Sequence, residues 1–159
     1  MQYTLLDLLN AEHILLDVDA GTAQTAIRRL TEPMVATRHV SAEFADDVWK
    51  REQAMPTGLP TQPFAIAIPH ADPDHVNQSA VGIGVLRAPV AFSQMGMNSS
   101  TVLQVRIVFL LAIKEREKQV EMIQQLVSLI QDPQLLNDLL IAKDAAGALS
   151  RIRKALPAK

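Results

Sequence analysis

The segment from Ile107 to Ile113 constrains the fold most, because all seven of its residues are apolar. A membrane-spanning helix needs about 20 such residues, so this run is too short to cross a bilayer. Strands with one face in water alternate apolar and polar residues, whereas an unbroken apolar run is typical of a strand covered on both faces. The run therefore predicts a central strand over Val105–Ile113.

Other short apolar segments predict further strands of the same sheet. Phe64–Ile68 is one, and it ends at Pro69. Ala80–Leu86 is a second, whose two glycines allow a neighbouring backbone to approach closely. His13–Val18 is a third candidate. Met55–Pro63 holds three prolines and a glycine, so it is predicted to be a loop.

Apolar residues at three- and four-residue spacing predict two helices in the first third of the chain. The first helix follows a Thr22 cap, and the second follows a Ser41 cap. The first is expected to bury Ala26, Ile27, Leu30 and Met34, and the second Phe44, Val48 and Trp49.

Three more helices are predicted after the central strand. They begin at Glu115, at the Asp132-Pro133 cap and near Asp144. The first of them, Glu115–Ile130, is expected to place Val120 inward. Strands interleaved with helices predict an α/β fold, with a mixed β-sheet sandwiched by helices on both faces.

Length and composition narrow the function classes. The 159 residues match one ordinary domain, so residues 1–159 are expected to form a single domain. A net charge of −2 from 15 basic and 17 acidic residues gives no electrostatic case for nucleic acid or an anionic membrane. No cysteine is available for a thiolate site, and the amino terminus lacks the pattern of a signal peptide. A cytoplasmic location is expected.

His70 is the histidine whose position indicates chemistry. It follows the predicted strand Phe64–Ile68 and Pro69, so its side chain is expected at the edge of the sheet. Reaction sites in open α/β sheets prefer strand ends. A strand also positions an imidazole more rigidly than a flexible loop does.

The segment His70–His75 permits a second interpretation. Its histidines and aspartates are similar to the His-x-His-x-Asp-His box of binuclear metal hydrolases. The match fails at Asp72, where that box has histidine, and no histidine follows His75. A solvated turn is the favoured interpretation of Asp72–Asp74, and metal-dependent hydrolysis is the weaker functional alternative.

Three motifs together resemble the fructose/mannitol class of phosphotransferase-system enzyme IIA domains. They are Pro56–Gly58, the strand end Ala65–His70 and the segment Leu86–Phe92. The resemblance runs from about Thr4 to Leu156. The Pro-Thr-Gly form and the longer spacer before Ile-Pro-His are most similar to the galactitol-type subgroup.

The resemblance implies a mannitol-type IIA fold and a cytoplasmic phosphotransferase that carries a phosphoryl group. Such a protein accepts the group from phosphohistidine on the carrier HPr. It passes the group to the IIB component of a sugar permease, whose IIC component lies in the membrane. No cofactor or metal is implied. The alternative is a regulatory IIA-like protein that signals phosphorylation state without transport.

The motif match also implies roles for individual residues. His70 is the residue phosphorylated, and Arg51, in an Arg-Glu pair at the end of the second helix, neutralises phosphate charge. Mannitol-type members carry a partner histidine at the start of the helix after the central strand. Gln119 stands there in this chain, and its amide can still donate a hydrogen bond to phosphate. The Thr57 hydroxyl either donates to phosphate or stabilises a turn.

These residue types suit phosphoryl transfer. Its loose transition state spreads charge over three equatorial oxygens, so catalysis is largely positioning and hydrogen-bond donation. A neutral imidazole is a competent nucleophile near neutral pH. Met55, Met95 and Met97 fall in predicted loops, where flexible thioethers either form a docking surface for partners or fill the margin of the core.

Overall fold

The computed structural model describes residues 3–97 and 100–156. Within these ranges the chain forms five strands and five α-helices. The strands are β1 (Leu9–Val18), β2 (Gly58–Leu59), β3 (Ala65–Ala67), β4 (Ala80–Ser93) and β5 (Val102–Ala112). The helices are α1 (Ala23–Ala36), α2 (Phe44–Ala54), α3 (Arg116–Leu129), α4 (Pro133–Leu140) and α5 (Ala145–Ala155). Short 3-10 helices occur at Leu5–Leu8 and Pro73–His75.

The strands form one mixed sheet in the order β1-β4-β5-β3-β2. β1 runs parallel to β4 and β3 runs parallel to β5, whereas the β4–β5 and β2–β3 pairs are antiparallel. β5 lies in the middle of the sheet, and every residue from Ile107 to Ile113 is buried. The predicted central strand covered on both faces is confirmed.

Helices cover both faces of the sheet, as predicted. Because successive side chains of a strand point to opposite faces, β5 contributes alternately to two cores. Val108 and Leu110 pack in the core that holds α1 and α2. Phe109 and Leu111 pack in the core formed with α3, α4 and α5. The site described below lies where β3 ends, between α2 and the start of α3.

The glycines of β4 allow α1 to lie close to the sheet. A Cβ atom at Gly84 would lie 2.4 Å from Cδ1 of Leu30, and one at Gly82 would lie 3.0 Å from Cε of Met34. Real Cβ atoms essentially never approach a neighbour as closely as the Gly84 position would require. The prediction that these glycines admit a neighbouring backbone is wrong, because the nearest atoms belong to the side chains of Leu30 and Met34.

The predicted caps at Thr22 and Asp132 form, and Asp144, predicted only as a helix start, also caps its helix. The side chains of Thr22, Asp132 and Asp144 each accept a hydrogen bond from a backbone N–H in the first turn of α1, α4 and α5. A capping oxygen satisfies N–H groups that have no partner within the helix, which is why these short polar residues define where the helices begin.

The Ser41 cap is wrong. α2 begins at Phe44, and Glu43 occupies the N-cap position without a side-chain bond. Ser41 instead donates its backbone N–H to the carbonyl of His75 at 3.0 Å, next to a bridge between Val40 and Val76. This pairing with a distant segment fixes the backbone of Ser41 ahead of the helix.

The inward position of Val120 is also wrong, because its side chain is 63% exposed. The buried residues of α3 are Met122, Leu126 and Leu129. Val120 lies two residues before Met122, more than half a turn around the helix, and therefore on the opposite side. Trp49 is only partly buried at the edge of its core.

Three predicted strands are longer in the structure. β1 begins at Leu9, β4 continues past Leu86 to Ser93, and β5 begins at Val102. Pro89 is tolerated within β4 because regular pairing with β5 is interrupted between Val85 and Val90. The predicted loop Met55–Pro63 contains the two-residue β2 at the edge of the sheet.

Candidate functional site

His70 lies just beyond β3 and is held there by the central strand. The backbone N–H of Leu111 donates to the carbonyl of Pro69 at 3.1 Å, and His70 forms a parallel bridge with Leu111. The His70 residue is 8% exposed. β5 therefore pairs with the chain both within β3, up to Ala67, and again beyond its end, at Pro69 and His70.

The two nitrogens of the His70 ring have different roles. Nδ1 lies 2.9 Å from the carbonyl oxygen of Ile68. A carbonyl oxygen only accepts hydrogen bonds, so Nδ1 carries the proton in the neutral ring. Nε2 then carries the lone pair, which makes it the nucleophilic atom.

The surroundings of His70 keep its ring neutral. Burial disfavours the charged form and lowers the pKa of His70 below its ordinary value. The bond to the Ile68 carbonyl and the charge of Asp72 oppose this lowering, whereas the charge of Arg51 adds to it. A neutral imidazole at neutral pH is the form that can act as a nucleophile.

Arg51 is placed to receive an anion. It lies in the last turn of α2, and its Nε is buried without a hydrogen-bond partner among the described residues. Arg51 lines a cavity of about 420 Å³ together with Ala71 and Asp72, which directly follow His70. An unsatisfied donor of a permanent cation at this point favours a negatively charged group beside His70.

Gln119 reaches the same segment from the first turn of α3. Its Nε2 donates to the carbonyl of Ala71 at 2.9 Å. Arg116, three residues earlier in the same turn, lies 3.3 Å from the carboxylate of Asp72. The start of α3 therefore holds the two residues after His70. A carboxamide has two donor hydrogens, so one hydrogen of Gln119 is left for a further acceptor.

The hydroxyl and the backbone N–H of Thr57 are both hydrogen-bonded within the protein, and the residue is 3% exposed. Its hydroxyl donates to Oε1 of Glu52 at 2.8 Å, and its backbone N–H donates to Oε2 at 2.9 Å. The hydroxyl oxygen also accepts from the N–H of Ile68 at 3.2 Å. Its one hydroxyl hydrogen goes to Glu52 and is not available to a phosphate. The geometry therefore favours the prediction that Thr57 stabilises the turn.

Glu52 is a site residue that the sequence interpretation missed. The residue is 6% exposed, and burial raises the pKa of its carboxyl, while the two bonds from Thr57 oppose that rise. The signal was available, because Phe44, Val48 and Glu52 follow one another at four-residue spacing. A carboxylate that continues an apolar stripe is expected to be buried with a specific partner.

His75 does not share the environment of His70. Its Nδ1 is hydrogen-bonded to the carboxylate of Asp47 on α2, and this bond raises the pKa of His75. In residues 3–97 and 100–156, no three His, Asp or Glu side chains come together as a metal-binding group. The two histidines of the segment therefore have separate partners instead of a common centre.

The three loop methionines are exposed. Met55 is 58% exposed, Met95 39% and Met97 52%. The turn that carries Met95 is joined to the Pro56–Gly58 loop, because the Met95 N–H donates to the Gly58 carbonyl at 2.8 Å. Side chains with this exposure do not fill the core, which favours the docking alternative of the two predicted roles.

The family model for the phosphoenolpyruvate-dependent sugar phosphotransferase system, EIIA 2, matches residues 7–155. The chain belongs to this EIIA family. It is thereby a phosphotransferase component of the class that acts through a phosphohistidine. No helix in the described part of this EIIA chain is both long enough and apolar enough to span a membrane.

A curated relative is multiphosphoryl transfer protein 1 of Escherichia coli K12. It is 28% identical over 155 residues, which cover 94% of this EIIA chain and 17% of the relative. Most of this chain matches these curated relatives, but it spans only about a sixth of their length.

Solved structures confirm the mannitol-type IIA fold. The mannitol IIA crystal structure from Escherichia coli has a TM-score of 0.74 and 25% identity, covering 90% of this chain and 97% of that one. The complex of Escherichia coli mannitol IIA with phosphorylated IIB matches with a TM-score of 0.76 and 24% identity, covering 92% and 99%. A IIA protein from Streptococcus mutans matches with a TM-score of 0.79 and 19% identity, covering 96% and 95%.

Proposed function

We propose that His70 is the histidine through which this EIIA chain carries the phosphoryl group. The observation that supports it is the bond from His70 Nδ1–H to the carbonyl of Ile68, because it leaves the Nε2 lone pair as the nucleophile. Of the described residues, His70 is the histidine beside an arginine with an unsatisfied buried donor. A nucleophile beside a free cation is the combination that phosphoryl transfer needs.

The transfer step balances without any further reactant. The Nε2 lone pair of His70 attacks the phosphorus of the donor phosphohistidine, and an N–P bond forms. The donor N–P bond breaks, and its electron pair returns to the donor ring. The His70 ring keeps its Nδ1 proton and becomes cationic, and the Ile68 carbonyl stabilises that charge. Transfer to the acceptor reverses these changes.

The neighbours of His70 act on the charge of the moving group. Arg51 opposes the negative charge that spreads over the equatorial oxygens. Gln119 donates its second amide hydrogen to one of those oxygens while its first stays on Ala71. Neither residue changes its protonation state in the step.

Family membership supports the following partners. The donor is the phosphorylated carrier HPr, and the acceptor is a IIB component that acts with a IIC component in the membrane. Both transfers take place in the cytoplasm. The mannitol IIA of Escherichia coli, which shares this fold, is recorded in complex with phosphorylated IIB. The exposed methionines Met55, Met95 and Met97 supply an adaptable apolar surface for two different partners.

Galactitol or a related sugar is the transported substrate that the sequence supports. The support is the Pro56–Gly58 form of the loop and the length of the spacer before His70. The regulatory alternative shares the first half of the reaction and differs in the second, because a regulatory protein has no IIB acceptor.

The test is incubation of the purified chain with phosphoenolpyruvate, enzyme I and HPr, followed by intact mass spectrometry. An acid-labile phosphoryl adduct that maps to His70 is expected, and an adduct elsewhere or none would contradict the proposal. Addition of a galactitol-type IIB should then discharge the adduct. Retention of the phosphoryl group with every IIB offered would favour the regulatory alternative.

A further inference from the structure

We propose that Glu52 and Thr57 are positioning residues that hold the His70 ring with Nδ1–H on Ile68 and Nε2 toward the phosphoryl donor. The proposal rests on the function proposed for His70. Glu52 and Thr57 do not touch the reacting atoms, and they act through the backbone of Ile68. Three hydrogen bonds connect them to the His70 ring, from the carboxylate of Glu52 through Thr57 and Ile68.

The connection begins where the β2–β3 ladder ends. Gly58 pairs with Ala67 and Leu59 pairs with Ile66, so the next antiparallel pair would be Thr57 with Ile68. At that position the Thr57 hydroxyl oxygen accepts the Ile68 N–H at 3.2 Å, as a carbonyl of β2 would in a continued ladder. A side chain therefore takes over a backbone role directly before the reactive histidine.

Glu52 decides which way the Thr57 hydroxyl points. A threonine hydroxyl rotates freely and can donate or accept in several directions. Here its hydrogen is directed at Oε1 of Glu52 at 2.8 Å, while Oε2 holds the Thr57 N–H at 2.9 Å. With the hydrogen committed, a lone pair of the oxygen faces Ile68. A chain of bonds of this kind also polarises each member, which strengthens the next bond.

Ile68 links Thr57 to the His70 ring through its two backbone hydrogen bonds. Its N–H is held by Thr57 and its carbonyl holds Nδ1 of His70 at 2.9 Å. Ile68 is fully buried, so no water competes for either bond. Without the Thr57 oxygen the Ile68 N–H has no acceptor, and a shift of this residue moves the carbonyl that selects the His70 tautomer.

A buried carboxylate stabilises a loop poorly, because its desolvation costs free energy. Burial disfavours the charged form of Glu52, and apolar residues of similar volume often pack with equal or greater stability. What an apolar pair cannot supply is an oriented acceptor for the Ile68 N–H. The network therefore has a function beyond packing α2 against β3, and that function is to orient His70.

The test compares four variants by two readouts. Thr57→Val removes the hydroxyl at nearly constant shape, Thr57→Ser keeps it, and Glu52→Gln keeps the volume but opposes one Thr57 donor with an amide. Thr61→Val is the matched control, because Thr61 lies in the next loop and its hydroxyl bonds only to the Phe64 carbonyl. The readouts are the His70 tautomer by nitrogen-15 NMR of unphosphorylated protein, and the kinetics of phosphoryl uptake from phospho-HPr.

Wild type, Thr57→Ser and Thr61→Val should show a single Nδ1–H tautomer at His70. Thr57→Val should show a mixture of tautomers and a kcat lowered by about ten- to a hundredfold, the loss expected from a misplaced reacting group. Its KM for phospho-HPr should stay near that of wild type, because the docking surface is untouched. Glu52→Gln should fall between these limits.

An unchanged tautomer and kcat in a folded Thr57→Val would overturn the proposal. If that variant does not fold, Glu52→Gln decides by the same readouts, and wild-type behaviour there would overturn it equally. A wild-type protein that accepts no phosphoryl group defeats the proposed function instead. The NMR comparison still decides in that case whether Thr57 and Glu52 hold the ring.

Discussion

The Nδ1 atom of His70 lies 2.9 Å from the carbonyl oxygen of Ile68, two residues earlier in the chain. This contact makes the two ring nitrogens inequivalent, with the proton on one and the lone pair on the other. The position of the proton on the His70 ring therefore depends on a backbone group of the same strand end. His75, five residues later, is oriented by the Asp47 carboxylate on another element.

His70→Ala should abolish the phosphoryl adduct, and His75→Ala should leave it. The reason is that β5 anchors the chain at His70, whose ring is within electrostatic range of Arg51, whereas His75 is paired with Asp47. Intact mass spectrometry after the HPr reaction measures both variants. An adduct that persists on the His70 variant would refute the assignment.

The titration midpoints of His70 and His75 should be shifted in opposite directions from that of a free histidine. The midpoint of His70 should lie below 6.5 because of burial, and that of His75 above 6.5 because of its bond to Asp47. His70 should therefore keep more than half of its capacity as a nucleophile at pH 6.5 and lose it as the pH falls further. Proton NMR of the two rings measures both midpoints in one experiment.

The pKa shifts of His70 and His75 make the free energy of unfolding depend on pH. The unfolded state binds a proton at His70 more readily than the folded state does, so this contribution to the free energy of unfolding falls as the pH drops below 6.5. For His75 the sign is reversed, and its contribution is lost as the pH rises through the raised folded-state pKa. A His70 midpoint at or above 6.5 would contradict the first statement.

Arg51→Ala should slow phosphoryl transfer and leave the fold intact. A charge-assisted bond to phosphate contributes about 1.5–3 kcal/mol, so the rate should fall by about ten- to a hundredfold. The pKa of His70 should rise, because the Arg51 charge lowers it. Stopped-flow transfer and NMR titration measure the two effects. Arg28→Ala on the exposed side of α1 is the control, and a matching rate in both variants would leave Arg51 outside the site.

Gln119→Leu should slow transfer, and Gln119→His should add a second titration to the pH dependence of transfer that His70 itself produces. The leucine variant loses the donor that holds Ala71 and supports the phosphoryl group. An introduced imidazole changes charge between about pH 5 and 8, whereas an amide does not titrate. Gln124→Leu, on an exposed position of the same helix, is the control. Wild-type rates in both Gln119 variants across this pH range would show that the residue plays no part.

Gly84→Ala should destabilise the fold by about 1–3 kcal/mol, the usual loss from overpacking a core. The added Cβ would lie 2.4 Å from Cδ1 of Leu30, so either the Leu30 side chain or α1 has to shift away from β4. Gly21→Ala is the control, since a Cβ at Gly21 would meet nothing within 4 Å. Urea denaturation measures both variants, and equal midpoints would mean that Leu30 adapts without loss.

Features that depend on neighbours along the chain could be predicted from the order of the residues. The run from Ile107 to Ile113 predicted the central strand, because burial on both faces requires unbroken apolar residues. Thr22, Asp132 and Asp144 predicted three helix starts, because a cap bonds only within its own first turn. The strand end at Pro69 likewise predicted where His70 would stand.

Features that depend on distant partners could not be predicted in this way and became visible in the folded chain. Ser41 is held by the carbonyl of His75 instead of capping α2, and the strand order places β3 beside β5. The link from Glu52 through Thr57 to Ile68 joins a helix, a loop and a strand end. Hydrogen bonds between such segments leave no periodic trace in the chain, because each needs one donor and one acceptor brought together by the packing of the whole sheet.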